Sequence, residues 1–279
     1  METYERIFMT RKFAVCTTFH EVGYRVYGKR MIESFISNWP RNVELHVYAE
    51  GVEVLETAPN LFVYDSHKIN EELVKFKNTW KNIPKANGDV REIPLLASRR
   101  DSHKSFKWDA VRFSNKVYSI FKCAKSTDAD ALLWMDADMF CHSPITTEKL
   151  EQFCPEAIDL AFLGRDNKFT ECGLYYMNLR SEATLQFLEN FQRYYDEADT
   201  GIFTLHEWHD SFVFDAVRRT VKLKELNWSA GLINGEGHPL INCEWGAYLD
   251  HLKGNRKTLG KSKPSDLIVN RSEQYWSNK

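Results

Sequence analysis

The sequence predicts an α/β fold, a sheet flanked by helices, from three observations. Short apolar runs of strand length alternate with stretches whose apolar residues recur at helical spacing. The composition, 43% hydrophobic and 14% aromatic over 279 residues, supplies a core for one large domain or two fused lobes and excludes a disordered or fibrous chain. No internal repeat, low-complexity tract or second composition divides the chain.

KFAVCTTF (12–19) reads as the first strand. GKRMIESFISNWP then reads as a helix, because Met31, Ile32, Phe35, Ile36 and Trp39 fall on one face until Pro40 ends it. VELHVYAE (43–50) alternates Val43, Leu45, Val47 and Ala49 with polar neighbours, and LFVYD (61–65) repeats the strand signal. The opening third is therefore β-α-β-β, and parallel sheets of this kind bind ligands at the carboxyl ends of their strands. Residues 66–101 are charged and carry two prolines and an Asn-Gly, which predicts a long loop or mobile subdomain able to act as a lid. From Phe106 to Ala124, the residues Phe106, Ala110, Phe113, Val117, Ile120 and Phe121 mark an amphipathic helix leading into the strand ALLWM (131–135). Beyond it, DLAFLG and GLYYMNL read as strands, ATLQFLENFQRYY and HDSFVFDAVRR as helices.

Lysine plus arginine (37) nearly balances aspartate plus glutamate (39), so no global field draws the chain to nucleic acid or an acidic membrane. The N-terminal stretch has scattered charges and no apolar signal core, and no apolar run is long enough to span a bilayer. The expectation is a soluble, cytoplasmic protein. Cys16, Cys123, Cys141, Cys154, Cys172 and Cys243 lie far apart with no C-x-x-C pair, which predicts reduced, mostly buried thiols without chemistry.

The chemistry concentrates in DADALLWMDADMF (128–140), where a strand of Ala131, Leu132, Leu133, Trp134 and Met135 ends in Asp136 and Asp138. In extended chain, residues i and i+2 point to one side about 6–7 Å apart, and a turn can bring both carboxylates to one hard cation, Mg²⁺ or Mn²⁺. Such ions keep open positions for phosphate oxygens. Two solvated aspartates opening a loop would carry the same letters.

An apolar strand ending in D-x-D, after a helix and in a chain opening with βα units, resembles the nucleotide-sugar-dependent glycosyltransferases of the GT-A fold. DHLKGNRK (250–257) contains H-x-x-G-x-x-K and is similar to the C-terminal motif of the retaining family that includes glycogenin and lipopolysaccharide galactosyltransferases. Thr258 and Leu259 follow where that family has Pro-Trp. The resemblance implies a Rossmann-like single domain over 1–279 with a mixed central sheet flanked by helices. In it, 1–140 is the nucleotide-sugar-binding half, and 141–279 is the acceptor-side half with a C-terminal metal and phosphate segment. It implies Mn²⁺ or Mg²⁺ on Asp136, Asp138 and His251, and a nucleoside-diphosphate sugar, UDP-type foremost, as donor. Gly254 and Lys257 would meet its diphosphate. AVCTTF resembles the strand that holds base and ribose, implicating Thr17, Thr18 and Phe19, although an aromatic there can equally be core. The helix before the D-x-D strand would turn a basic residue toward the donor, Lys107 or, for its paired bonds to phosphate, Arg112. ECGLYYMNLR offers Gly173 for close approach, and Asn178 closes that strand. EWHDSFVFD resembles the segment that sets a carboxylate beside the reacting sugar, which implies that role for Asp210 and Ser211, although either could instead cap the following helix. Asp210, Ser211 and Asp138 are thus the catalytic candidates, and retention of anomeric configuration is implied.

The acceptor is open between a saccharide and a modified, hydroxymethylated DNA base. CTTFHEVGYRVYGKRMIESFISNWP resembles small glycosyltransferase-like proteins of bacteriophages. The basic-aromatic run at 99–122, which includes Arg99, Arg100, Lys104, Lys107, Arg112, Lys116 and Lys122, suits a nucleic-acid strand but reads first as a solvated helix face. A metal-dependent nucleotidyltransferase, which would need a third carboxylate, and a non-catalytic nucleotide- or glycan-binding module are the alternatives. His206 and His209 stand three apart, against the four a zincin helix needs, and His20, His103 and His238 are read as isolated loop histidines. No P-loop, dinucleotide fingerprint or nucleophile elbow occurs.

Overall fold

A computed structural model of the chain describes residues 11–92, 105–232 and 238–277. Among the described residues nine strands form two sheets: β1 (Phe13–His20), β2 (Val43–Glu50), β3 (Leu61–Asp65), β4 (Ala131–Met135), β5 (Met139–Cys141), β6 (Leu160–Leu163), β7 (Glu171–Asn178), β8 (Glu225–Asn227) and β9 (Leu249–His251). The large sheet runs β3-β2-β1-β4-β7-β6-β8, and β5 pairs with β9 in a separate ribbon. β1, β2, β3 and β4 run parallel to one another, whereas β7 runs antiparallel to both β4 and β6, so the sheet is mixed.

Alternation along each strand feeds two cores. Ala131, Leu133 and Met135 join Phe13, Val15, Phe35, Leu150 and Trp245 on one face; Leu132 and Trp134 join Ala14, Cys16, Phe121, Phe191 and Phe214 on the other. The helix Lys29–Asn38 covers the first face. The helices Ala110–Ser126, Glu182–Asp196 and Asp210–Arg218 cover the second. The six cysteines are buried free thiols, as expected.

The chain visits β2 on one side of β1 and later β4 on the other, which opens a crevice at their carboxyl ends. β7, running the other way, begins at that same edge: its Leu174 pairs with Met135, and Asp136 N–H donates to the Gly173 carbonyl at 2.8 Å. Glu171 and Gly173 therefore arrive beside the end of β4. The β5–β9 ribbon sets Met139 opposite His251, and its buried Asp250 accepts from Ser262 Oγ at 2.6 Å and Tyr275 Oη at 2.8 Å, which ties the C-terminal segment over it.

The expectation of a loop or lid at 66–101 fails over its described part, 66–92. Ser66–Ile69 and Glu71–Trp80 are helical, and Pro84–Asn87 and Val90–Glu92 form single 3₁₀ turns. Asn70 caps the longer helix by accepting from Leu73 N–H at 3.2 Å; Leu73 and Phe76 are buried, with the Phe76 ring against Tyr118 and Tyr195. The signals were present, an Asn cap, Glu71 and Glu72 in the first turn, and Leu73, Phe76 and Trp80 on one face, but charge and prolines outweighed them. Residues 93–101 of that prediction, and Arg99, Arg100, His103 and Lys104 of the basic run, lie outside the described residues.

Phe76→Ala should lower unfolding free energy by about 3–5 kcal/mol in a denaturant titration, the cost of an aromatic cavity in a core. A lid resting loosely on the surface would lose far less.

Candidate metal and donor site

Beyond Met135 the chain turns, with Met139 N–H donating to the Asp136 carbonyl at 3.0 Å, and this turn gathers the two carboxylates. Leu252 N–H donates to the Asp138 carbonyl at 2.9 Å, which locks the end of β9 against the turn and delivers His251. Its Nε2 stands 3.1 Å from Asp138 Oδ1 and 3.7 Å from Asp136 Oδ2. Asp136, Asp138 and His251 each present a ligand atom within 4.8 Å of the others, and they form the single such group among the described residues.

Each carboxylate divides its labour. Asp136 Oδ1 accepts from the Trp134 indole at 2.7 Å and from Lys116 Nζ at 3.0 Å, and its Oδ2 faces His251. Asp138 is 8% exposed, with Oδ1 toward His251 and Oδ2 at 2.9 Å from Lys257 Nζ. Burial alone would raise the Asp138 pKa, yet the facing His251 and Lys257 charges hold it well below the ordinary carboxylate range. Burial likewise pulls the His251 pKa down, and the carboxylates of Asp138 and Asp136 outweigh it and raise it.

Room for the imidazole comes from Gly173. A Cβ there would stand 2.8 Å from His251 Nδ1 and 3.0 Å from the Met139 methyl, so the close approach expected at this glycine is to the histidine ring. The histidine is 1% exposed, and its Nδ1 has no hydrogen-bond partner.

A cleft of about 680 Å³ lies over this triad, lined by Thr18, Phe19, His20, Glu50, Arg112 and Lys257 among others. Gly254 is on its wall in the left-handed region at φ 58°, leaving the backbone open to a ligand. Lys257 reaches Asp138 even though no Pro-Trp follows it, and its ammonium sits 4.6 Å over the Tyr27 ring. Arg112 is exposed on the rim. Ser211 and Asp210 line the cleft as well.

Four expectations need correction. Thr17 is fully buried and does not reach the cleft, because its side chain alternates away from that of Thr18, which does. Phe19 is core, 2% exposed and stacked on Tyr24 at 5.5 Å, so only its edge meets the cleft. Lys107 pairs with Glu207 at 2.6 Å and lines the neighbouring cavity in place of the cleft. Neither Asp210 nor Ser211 caps its helix: His209 holds the N-cap position, and Asp210 Oδ2 instead receives Lys116 Nζ at 2.6 Å.

Lys116 is the residue that sequence reasoning missed. Read as part of a solvated basic face, it is 7% exposed and bridges Asp136, Asp210 and the Cys172 carbonyl. Burial depresses its pKa, and the two carboxylates outweigh that and raise it. The available signal was its place one turn after Arg112 on the helix leading into β4. Two of the histidines dismissed as isolated also belong here: His20 lines the cleft, and His238 Nε2 meets the His251 carbonyl at 2.9 Å. His209 pairs with Glu207 at 2.9 Å, and His206 joins no metal group.

No family model matches the chain, and no curated protein does. Among solved structures it is similar to the bifunctional glycosyltransferase WbbM, apo form, at 11% identity and TM-score 0.46, covering 91% of this chain and 47% of that one. It is also similar to mouse xyloside xylosyltransferase 1, apo form, at 12% identity and TM-score 0.41, covering 75% and 82%. A third is the glycosyltransferase GlyE of Streptococcus pneumoniae TIGR4, at 11% and 0.43, covering 77% and 45%. The chain spans about half the length of the first and third of these. No helix of the described residues is long and apolar enough to cross a membrane.

Gly173→Ala should displace the His251 ring and lower Mn²⁺ affinity by about tenfold or more, by the sensitivity of metal sites to ligand orientation. Isothermal titration against the wild type reads it, and equal affinity would remove His251 from the site.

Proposed function

We propose that the chain is a glycosyltransferase that moves a sugar from a nucleoside-diphosphate sugar to an acceptor hydroxyl. The observation that carries this is the meeting of Asp136, Asp138 and His251 at the carboxyl edge of the sheet, under a cleft of the size small ligands occupy. The reading takes residues 1–279 as one domain, the first 140 binding the donor and the remainder the acceptor.

Two carboxylates and an imidazole are suitable donors for Mn²⁺ or Mg²⁺, and the atoms that would hold the ion are Asp136 Oδ2, Asp138 Oδ1 and His251 Nε2. When bound, such an ion acts as a Lewis acid on the diphosphate and eases departure of the nucleoside diphosphate. Lys257, already among these charges, is placed to exchange Asp138 for a phosphate oxygen, and the exposed Arg112 can add paired bonds from the rim. Thr18, His20 and Glu50, at the ends of β1 and β2, form the end of the cleft that would receive the nucleoside. Lys116 holds the Asp210 carboxylate in place, so that Asp210 faces the positive charge developing at the anomeric carbon. The resemblance to the retaining family implies a UDP-type donor and, separately, an acceptor hydroxyl that approaches from the leaving-group side. A saccharide is the acceptor we favour over a hydroxymethylated base in phage DNA.

A nucleotidyltransferase would need a third carboxylate on the ion. Here the third ligand is an imidazole, and the neighbouring carboxylates Glu171 and Asp210 are occupied by Lys253 and Lys116.

UDP-, GDP- and CMP-sugars with and without Mn²⁺ should separate in a thermal-shift panel. The matching donor with metal should raise the melting temperature by several degrees, as about 2.7 kcal/mol at hundredfold saturation would. Asp138→Ala should abolish the metal-dependent part. Indifference to every donor, or an undiminished response in the variant, would refute the transferase. NMR coupling at the anomeric proton of the product should report retention.

A further inference from the structure

Past Asp210, Ser211 and Glu171 the donor cleft continues into a second cavity of about 940 Å³. Its charges are largely satisfied. Lys107 pairs with Glu207, Arg218 with Asp215 and Glu225, Lys253 with Glu171, and Asp210 with Lys116. Among the described residues, the lining charges left without an ion pair are Arg165, Lys168 and Arg219 against Asp166 alone. Cations and carboxylates balance over the lining as a whole, but among the described residues Arg165, Lys168 and Arg219 make no ion pair of their own.

Arg165 stands apart from the other two because it is held. β6 ends at Leu163, and the chain turns back through Asn167, whose φ of 56° lies in the left-handed region. Within this turn Arg165 Nε donates to the Phe169 carbonyl at 2.7 Å, which orients the guanidinium plane and leaves its two Nη groups for another acceptor. The side chain is half-buried, and it lines the neighbouring cavity with Lys253 and Arg256 as well. A guanidinium stays protonated, and Asp215 and Asp210 act on this one only from beyond ion-pair distance, so drawing it partly out of water costs free energy that an incoming oxyanion would offset. At the boundary between cleft and second cavity stands Phe106, 56% exposed, an aromatic face of the kind on which the apolar side of a sugar ring can rest.

We propose that this second cavity is the acceptor site and that it takes an acidic saccharide, whose carboxylate or phosphate group is bound by the Arg165 guanidinium. The proposal rests on the transferase reading above and names its acceptor class. A DNA strand fits less well, because it demands cations spaced along a track. Here the cations without an ion pair line one bounded cavity in a chain of net charge −2.

The test titrates the full chain with methyl glucoside, methyl glucuronide, glucose 6-phosphate and a single-stranded oligonucleotide, read by ligand-observed NMR. The two acidic sugars should bind about ten- to hundredfold more tightly than the neutral one, as a charge-assisted bond implies. Arg165→Met should reduce them to the neutral level, and Arg165→Lys should recover part of the phosphate affinity. Both variants should keep the melting temperature and the donor-plus-Mn²⁺ stabilisation. Equal binding of neutral and acidic sugars, no binding of either acidic sugar, no effect of Arg165→Met, or an oligonucleotide binding more tightly than both sugars would each overturn the acceptor assignment. A persisting donor response leaves the transferase reading standing in those cases; its absence from the wild type overturns both.

Discussion

The site depends on one constraint: a carboxylate as buried as Asp138 must be answered by positive charge. His251 and Lys257 answer it from the far end of the sequence. Removing a carboxylate from water costs several kcal/mol even after relaxation, and pairing seldom returns more than that. These charges are therefore poor stabilisers of the fold. On the proposed transferase reading they are groups held close together so that an incoming cation and phosphates can replace contacts the protein already makes.

Sheet topology makes this proximity possible. A strand order that switches at β1 and β4 opens the crevice, and the reversed β7 brings Glu171 and Gly173 to the same edge. The β5–β9 ribbon then carries His251 back across more than a hundred residues. Gly173 and His251 are complementary in shape, since any side chain at the glycine would occupy the ring's place. Lys116 extends the network by joining Asp136 to Asp210, so that two carboxylates lining the cleft share one buried cation.

Much of the architecture was legible because hydrophobic period reports secondary structure directly. The strands at 13–20, 43–50, 61–65 and 131–135 and the helices around 29–38, 110–126 and 182–196 follow their apolar patterns closely. The short strands β5, β8 and β9 were not foreseen, because three residues carry no period, and their pairing partners are distant in sequence. The helix Glu71–Trp80 was lost for a different reason: its charged outer face and the prolines after it hid a capped, one-sided apolar stripe.

By itself, the sequence determined the residue chemistry: Asp136 and Asp138 at a strand end, and His251, Gly254 and Lys257 at a recognisable spacing. It also determined the α/β pattern that puts strand ends to use. Only the tertiary structure decided which of many lysines and arginines serve the site. Lys116 is buried between two carboxylates, Lys107 is turned away to Glu207, and Arg165 makes no ion pair among the described residues and is held by the Phe169 carbonyl. Local pattern shows the face of its own element on which a side chain lies. The charges it meets come from distant elements, and long-range packing alone brings those together.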